Sequence, residues 1–330
     1  MISSLPGTGT IGSSVAPAHF FSNKNKIIIS YLLNEGHCNA KCKHCYINRA
    51  KKGAKEKDLD VAYNEIRNLQ SQGYQIILRG TEILLHPEFL PLFELVGQNY
   101  LQTNGLVIAQ TPELLEDIAK HKIQFLIIPY PFDEEGLVNI DPEASKRAIS
   151  IAAKLFSVTV SIIITKSAAH TLWRLREFCE FAFSLGAKAV KFIRLMPITS
   201  PLLNFSLNTK ESMEVLSEID NLKKTYDKNK LILQTPGCFG LFEFRRSLKQ
   251  EKAGKDNSGI YDCPAGVKYF VIDTENNVYP CLYLMDERHK IGEFRDAKIE
   301  ILNNKNVPAK IRCDECPAYY YWMTIKNSNY

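Results

Sequence analysis

The chain has 330 residues, a formal net charge of +5 and a hydrophobic content of 45%. The hydrophobic content is typical of a globular protein, and the length suits one large domain or a main domain with a smaller one. The charge excess is too small to indicate nucleic acid binding, and no apolar run is long enough to cross a bilayer, so we expect neither a nucleic acid partner nor a membrane. Because the first residues lack a secretory signal, we also expect a cytoplasmic, reducing location, where regularly spaced cysteines indicate metal sites rather than disulfides.

The predicted elements alternate between strands and helices after a flexible segment of residues 1–25, which is rich in glycine, serine and proline. Short apolar or β-branched runs predict strands over 27–33, 74–78, 100–102, 124–128, 158–164 and 190–195. Amphipathic spacing predicts helices over 59–72, 87–96, from 111 onward, 142–155 and 167–185. Six such units in a row predict an α/β fold, a partial (β/α)6 barrel of parallel strands over residues 26–205.

The pattern changes after this barrel. A helix over 209–226 fills most of a predicted connecting region, residues 206–234. Residues 235–330 hold five of the nine cysteines together with short predicted strands over 269–272 and 278–280. This composition predicts a small, cysteine-rich C-terminal domain that a metal stabilises. In parallel α/β folds the chemistry gathers at the C-terminal ends of the strands, so the segments that follow each strand are the candidate site.

A cysteine triad follows the first predicted strand. Cys38, Cys42 and Cys45 have the spacing C-x3-C-x2-C, so three thiolates of one loop could ligate three irons of a [4Fe–4S] cluster. The fourth iron would stay open for the amino and carboxylate groups of S-adenosylmethionine. The alternative is a structural zinc loop, but zinc needs a fourth ligand that only His37 or His44 could supply nearby.

This triad, followed by an aromatic residue, resembles the radical S-adenosylmethionine superfamily. Residues 78–82, Leu-Arg-Gly-Thr-Glu, follow the second strand where that family has a Gly-Gly-Glu-Pro-like loop. Here Gly80 and Glu82 match, whereas Thr81 replaces a glycine and Ile83 replaces the proline. Residues 103–105, Thr-Asn-Gly, match a common family turn after the third strand. The resemblance covers roughly residues 27–200.

The resemblance implies reductive cleavage of S-adenosylmethionine to a 5′-deoxyadenosyl radical, which abstracts hydrogen from a substrate, and an electron donor such as flavodoxin or ferredoxin. The residues that it implies as cofactor contacts lie after successive strands: Tyr46, Gly80, Thr81, Glu82, Thr103, Asn104, Ser161, Ile163 and Arg194. Tyr46 would lie against the adenine, and Glu82 and its loop would bind the amino group. Ser161 and Ile163 would contact the ribose and carboxylate, and Arg194 could face a carboxylate.

Four later cysteines resemble the SPASM/twitch extension of a subset of this superfamily: Cys263, Cys281, Cys313 and Cys316. The resemblance implies that they hold one auxiliary [4Fe–4S] cluster, and a zinc ion held by the same four thiolates is the alternative. Cys238 precedes this pattern. It could replace one of the four ligands, or it could be a free thiol that donates a hydrogen atom.

Relatives with this extension mostly modify peptides or proteins. The resemblance therefore favours a radical oxidoreductase that acts as a maturase of a ribosomally made peptide. A radical enzyme acting on a small metabolite, such as a sugar or an amino acid, is the second possibility, and a non-catalytic metal-binding or regulatory protein is the third. A precursor-peptide gene beside this one would favour the maturase, and release of 5′-deoxyadenosine would exclude the non-catalytic protein.

Overall fold

The computed structural model describes most of the chain: residues 26–49, 53, 55–132, 136–167, 172–226, 231–235, 264–303 and 316–324. The predicted flexible segment of residues 1–25 lies outside the described residues, as do Cys238, Cys263 and Cys313. Within the described part, no helix is both long enough and apolar enough to cross a membrane.

Strands and helices alternate along the barrel region as predicted. The strands are β1 (Ile28–Leu32), β2 (Asn34–Glu35), β3 (Lys55–Glu56), β4 (Gln75–Arg79), β5 (Tyr100–Gln102), β6 (Phe125–Pro129), β7 (Ser157–Ile164), β8 (Ala189–Arg194), β9 (Ile232–Gln234), β10 (Tyr269–Ile272), β11 (Asn277–Tyr279), β12 (Gly292–Arg295) and β13 (Lys298–Ile301). The helices are α1 (Tyr46–Arg49), α2 (Leu59–Ser71), α3 (Leu90–Leu95), α4 (Leu106–Gln110), α5 (Leu114–Lys120), α6 (Pro142–Ala152), α7 (Trp173–Ser184), α8 (Thr209–Thr225) and α9 (Pro317–Thr324). The six predicted strands correspond to β1, β4, β5, β6, β7 and β8, and each of their ends is confirmed to within one residue.

Local capping fixes several helix boundaries. The Asp58 side chain accepts a hydrogen bond from the Val61 amide at 3.0 Å, which starts α2 where the sequence predicts it. Asn208 and Glu211 form a reciprocal capping box at the start of α8. The predicted helix over 87–96 is instead a 3₁₀ turn, Pro87–Phe89, followed by the short α3, because the prolines of this segment have no amide hydrogen to continue a regular ladder.

The parallel strands lie in two sheets. One sheet has the order β5-β6-β7-β8-β9 and is parallel throughout. In the other, β1 pairs in parallel with β4 on one side and with β10 on the other. The α/β prediction with parallel strands is therefore confirmed.

The Gln98 side chain joins these two sheets. Its Oε1 accepts a hydrogen bond from the Leu78 amide at 2.8 Å, and its Nε2 donates to the carbonyls of Leu78 and Tyr100 at 3.3 and 3.1 Å. Gln98 is buried, so its amide takes the place of a backbone ladder between β4 and β5. The barrel wall thus continues across the break between the sheets.

The strands have a helix-facing side and an inward side. The main hydrophobic core lies between strands and helices, and Val190 and Phe192 of β8 belong to it with no exposed surface. The intervening Lys191 and Ile193 of β8 point the other way and are only half-buried. A separate inward cluster near the N-terminal ends of the strands contains Ile28, Ile77, Tyr100, Phe125 and Ile127.

The C-terminal strands continue the barrel sheets. The three-residue β9, which the sequence did not reveal, pairs in parallel with β8. The hairpin of β10 and β11 agrees with the predicted short strands, and it extends the sheet beyond β1, followed by β12 and β13 in antiparallel order. Asp273 shapes the hairpin turn because its Oδ1 accepts hydrogen bonds from the amides of Glu275 and Asn277 at 2.8 and 2.9 Å. The predicted domain boundary at residue 235 stays a prediction.

Candidate functional site

The cysteine triad lies on the loop between β2 and α1. Cys38, Cys42 and Cys45 are all half-buried. The Leu137 carbonyl holds the loop in place, since it accepts hydrogen bonds from the Lys43 amide at 2.9 Å and from His44 Nδ1 at 3.0 Å. Burial lowers the pKa of His44, so the ring is neutral and donates its Nδ1 hydrogen to this carbonyl.

Cys38 has two N–H donors directed at its sulfur. The Ala40 amide donates to Sγ at 3.4 Å, and the Asn104 side chain donates to the same sulfur at 3.6 Å. Burial raises the pKa of the Cys38 thiol, while these two donors act in the opposite direction. Hydrogen bonds to sulfur are a common feature of thiolates that ligate iron, so the surroundings of Cys38 fit a cluster ligand.

Glu82 ties the loop after β4 to the turn after β5. The side chain has no exposed surface. Its carboxylate accepts hydrogen bonds from the Leu84 amide at 3.0 Å, the Thr103 hydroxyl at 2.9 Å and the Asn104 amide at 2.6 Å. Burial raises the pKa of Glu82, and the three donors partly offset that rise. In this arrangement Glu82 positions Thr103 and Asn104, and its predicted contact with the cofactor stays a prediction.

Asn34 holds the same loop from the other side. It is fully buried, and its Oδ1 accepts a hydrogen bond from the Thr81 amide at 2.8 Å while its Nδ2 donates to the Glu82 carbonyl at 3.3 Å. The Thr81 hydroxyl donates to the His37 carbonyl, next to the cysteine loop. A Cβ atom at Gly80 would lie 2.2 Å from Asn34 Oδ1, so only glycine fits there. Sequence reasoning missed Asn34, because its role depends on partners more than 40 residues away.

Tyr46 and Arg79 form a polar group beside the triad. The Tyr46 ring packs edge-on against Tyr283 with a centroid distance of 5.2 Å. Arg79 Nε donates to the Ser30 hydroxyl at 3.1 Å, and that hydroxyl pairs with the Tyr269 hydroxyl at 2.8 Å. Burial raises the pKa of both Tyr46 and Tyr269, so these phenols stay neutral. Arg79 was not among the residues that the sequence singled out.

The remaining predicted contacts lie in different places. Ile163 of β7 packs against the apolar cluster that also contacts Cys38 and Cys42, so the structure brings it to the triad. Ser161 is buried on the inward side of the same strand. Arg194 is also buried, but its guanidinium lies 3.5 Å from the ring centre of Tyr319 and its Nη2 donates to the Leu207 carbonyl at 3.1 Å. A contact of Arg194 with the cofactor stays a prediction.

Two of the four C-terminal cysteines are described, and both contact one apolar cluster. Cys316 is buried in this cluster, and the half-buried Cys281 packs against it. The Tyr283 amide donates to Cys281 Sγ at 3.5 Å, and Tyr283 in turn contacts Tyr46. The region of Cys281 is therefore adjacent to the region of the triad.

A second group of possible metal ligands lies at the start of the cysteine loop. His37, Glu56 and His86 place one ligand atom each within 4.8 Å of one another, which could hold a divalent cation. His86 Nδ1 lies 2.9 Å from a Glu56 carboxylate oxygen. This contact, together with the edge-on packing of the His37 and His86 rings at a centroid distance of 5.0 Å, accounts for the proximity of the three side chains without a metal.

Comparisons with known proteins agree with this geometry. Residues 36–182 match the family described as the Radical SAM superfamily. No curated protein sequence matches the chain. Streptococcus suis SuiB bound to precursor peptide SuiA superposes with a TM-score of 0.65 at 14% identity, covering 92% of this chain and 74% of SuiB.

Two further solved structures superpose on this chain with comparable TM-scores and low sequence identity. SuiB bound to S-adenosylmethionine has a TM-score of 0.59 at 14% identity, over 78% of this chain and 60% of that one. Native anSMEcpe with bound AdoMet and the Cp18Cys peptide has a TM-score of 0.60 at 18% identity, over 85% of this chain and 81% of that one. These TM-scores establish a shared fold, and the match over residues 36–182 covers the triad and the loops that follow β4 and β5. Residues 36–182 of this protein are therefore similar to the Radical SAM superfamily, and the chain shares the fold of these solved structures.

Proposed function

We propose that this protein is a radical S-adenosylmethionine enzyme that binds a [4Fe–4S] cluster through Cys38, Cys42 and Cys45, binds S-adenosylmethionine beside it, and modifies a peptide or protein. The observation that carries the proposal is the convergence of the triad loop with the loops after β4 and β5 at one end of the barrel. When bound, the cluster and the cofactor supply the one-electron chemistry that removes a hydrogen atom from the substrate.

The protein's own residues would bind and orient these groups. Asn104 and the Ala40 amide fix the Cys38 sulfur, and Glu82 fixes Asn104 through its amide at 2.6 Å. The chain of contacts from Glu82 to Asn104 to Cys38 therefore couples the cofactor loop to the cluster loop. Carbonyl groups of the loop 80–82 are the proposed acceptors for the amino group of the cofactor, because the Glu82 carboxylate already has three protein donors. Tyr46, close to the triad, is the proposed contact for the adenine.

A peptide substrate is supported by two structures of the same fold. SuiB is bound to a precursor peptide in one, and anSMEcpe is bound to the Cp18Cys peptide in the other. The similarity to the SuiB complex spans 92% of this chain, which includes much of the C-terminal region. We propose flavodoxin or ferredoxin as the class of electron donor.

We also propose one auxiliary [4Fe–4S] cluster held by Cys263, Cys281, Cys313 and Cys316. The packing of Cys281 and Cys316 against one cluster of side chains supports a shared site. A zinc ion on the same thiolates is the competing assignment. For Cys238 the two proposed roles are a replacement ligand and a hydrogen donor, and iron content after Cys238→Ala distinguishes them, since only a ligand variant loses iron.

The test uses anaerobically reconstituted protein with reductant, S-adenosylmethionine and the peptide encoded by the nearest small open reading frame. The proposal predicts 5′-deoxyadenosine together with a mass change in the peptide. Release of 5′-deoxyadenosine with no change in any peptide encoded nearby, combined with turnover of a sugar or amino acid, would contradict the peptide part. Cys179→Ala is a matched control because Cys179 is a fully buried core residue of α7, far from the triad in sequence.

A further inference from the structure

Several residues on the inward side of the barrel retain solvent-accessible surface. On β8, Val190 and Phe192 have no exposed surface, whereas the inward Lys191 and Ile193 between them are half-buried. The inward Ile163 of β7 is half-buried as well. Helices cover the opposite side of these strands, so the surface that the inward residues expose must line the interior.

Two cations project into this interior from opposite walls. Arg79 is the last residue of β4 and Lys191 lies in the middle of β8, and three strands separate them along the barrel wall. Burial, followed by the positive charge of Arg79, lowers the pKa of Lys191 to about 8. Because Arg79 and Lys191 alternate with helix-facing core residues of β4 and β8, both positive charges face the same interior.

Neither cation has an acidic partner among the residues that the structure describes. Among the ion pairs formed by described residues, none includes Arg79 or Lys191. The groups near Arg79 are hydroxyls, those of Ser30 and of Tyr46, Tyr100, Tyr269 and Tyr283. Burial raises the pKa of Tyr46, Tyr100 and Tyr269, so these phenols stay neutral. Two positive charges in a partly desolvated interior are costly unless an anion compensates them, and a ligand can supply that anion.

Lys191 lies away from the proposed cofactor site, whereas Arg79 borders that site through Tyr46. The cofactor loops follow the C-terminal ends of β4 and β5, whereas Lys191 precedes the end of β8 by three residues and is in register with Ser161 of β7 and Gln234 of β9. An anion between Arg79 and Lys191 would therefore lie deeper in the barrel than these loops. Ser161 and Gln234 add neutral polar groups to the same row.

We propose that Arg79 and Lys191 form a carboxylate-binding subsite for the substrate, so that the enzyme prefers a peptide with a carboxylate close to the modified residue. This inference rests on the proposed peptide-modifying function and names a chemical requirement of its substrate. The carboxylate comes either from a glutamate or aspartate side chain or from the C-terminus of the peptide. Arg79 can bind it with its fixed guanidinium fork, and Lys191 adds a point charge from the other side.

The test is protection of Lys191 from acetylation in the full-length, anaerobically reconstituted protein near pH 8, read by mass spectrometry. Exposed Lys188, in the loop before β8, is the internal reference. One probe is N-acetyl-L-glutamate α-methylamide and its control is the glutamine counterpart, which has the same shape without the charge. N-acetyl-L-alanine with a free carboxylate represents a peptide C-terminus. Each is used at about 10 mM, ten times the millimolar Kd expected of so small a ligand.

The subsite predicts that one acidic probe slows acetylation of Lys191 about ten-fold, while the glutamine probe and the Lys188 reference show no change. The acidic probe that protects Lys191 identifies the source of the carboxylate, either an acidic side chain or a peptide C-terminus. Equal protection by the glutamine probe, no protection by either acid, or no acetylation of Lys191 while Lys188 reacts would overturn the inference. Full protection by S-adenosylmethionine alone would assign the pair to the cofactor and would also overturn it.

Variants make the assignment specific. Arg79→Gln should abolish the protection of Lys191, and Lys188→Met should retain it. Release of 5′-deoxyadenosine and modification of the peptide are measured on the same preparation. If the enzyme modifies a peptide but no carboxylate protects Lys191, the subsite is wrong and the proposed function stands. If a carboxylate protects Lys191 but no peptide is modified, the subsite stands and the proposed function is wrong.

Discussion

Gly80 and Asn34 provide a direct test of how the cofactor loop is held. Replacing Gly80 with alanine places a Cβ 2.2 Å from Asn34 Oδ1 and 2.6 Å from Ile83 Cδ1. The end of the Ile83 side chain can turn aside, but Asn34 is fully buried between β1 and the loop and must leave its position. Its hydrogen bonds to the Thr81 amide and the Glu82 carbonyl are then lost.

The magnitude follows from these contacts. Two buried hydrogen bonds contribute about 1 kcal/mol each, and an unsatisfied buried amide adds a further penalty, so Gly80→Ala should lower the free energy of unfolding by about 3 kcal/mol. Asn34→Ala should cost a similar amount for the same hydrogen bonds. The double variant should cost about 3 to 4 kcal/mol rather than 6, because the alanine at position 34 leaves room for the new Cβ.

The assay is urea unfolding of the four proteins under anaerobic conditions, with the Kd for S-adenosylmethionine measured in parallel by equilibrium dialysis. We expect all three variants to bind the cofactor at least about ten-fold more weakly, because a loop shifted by 1 Å loses its alignment with the ligand. Additive costs in the double variant, or a Gly80→Ala protein as stable as the wild type, would refute the account of this loop.

Three other predictions address the auxiliary site, a buried carboxylate and the barrel wall. Cys281→Ala and Cys316→Ala should each lower iron by about four atoms per chain while the triad cluster remains, and a loss of zinc with unchanged iron would show that the auxiliary site is a zinc site. Burial raises the folded-state pKa of Glu82, so the folded state keeps the proton to a higher pH than the unfolded state. The contribution of Glu82 to the free energy of unfolding is therefore fully present below the ordinary pKa of 4.5 and is lost as pH rises through the raised pKa of the folded state. Wild-type stability relative to Glu82→Gln should therefore fall as pH increases across that window, and a relative stability that rises there would contradict the direction of the shift. Gln98→Leu should destabilise the protein by about 3 kcal/mol, since it leaves the amide and carbonyl of Leu78 unsatisfied. The control Gln102→Ala, on the exposed end of β5, should change stability by less than about 1 kcal/mol. Equal effects of the two variants in urea unfolding would argue against the connection of β4 and β5 through Gln98.

The strands of the barrel could be predicted because their signal is local. Runs such as residues 158–164 are β-branched and fully apolar on the helix-facing side, so the sequence alone indicates a buried strand. The triad could be predicted for the same reason, since its three thiols lie within eight consecutive residues. The boundaries of α2 and α8 were predictable because capping residues mark where they begin.

The polar connections could not be predicted, because they join residues that are far apart in the chain. Gln98 has the composition of an ordinary loop residue, and only the gap between β4 and β5 gives it a structural role. Asn34 reads as a turn residue, but it holds a loop 47 residues away. The pairing of β10 with β1 is a contact of the same kind, since a four-residue apolar strand can join any exposed sheet edge.

Long-range contacts also explain why the observed role of the Glu82 side chain differs from the role that the family motif implies. The family resemblance implies a side chain that reaches the cofactor, whereas the structure gives its carboxylate three protein donors across two loops. A carboxylate with this environment acts first on the position of Asn104, and through Asn104 on Cys38. Positions of the cluster ligand and the cofactor loop are thereby coupled.

The central claim is that the triad supplies an iron that S-adenosylmethionine can reach. The most direct measurement is 5′-deoxyadenosine, quantified by liquid chromatography after anaerobic reconstitution and reduction, in the wild type, in the Cys38→Ala/Cys42→Ala/Cys45→Ala variant and in Cys179→Ala. We predict release by the wild type and by Cys179→Ala, and none by the triple variant. Release by the triple variant, or none by a wild-type protein that holds its full complement of iron, would contradict the account.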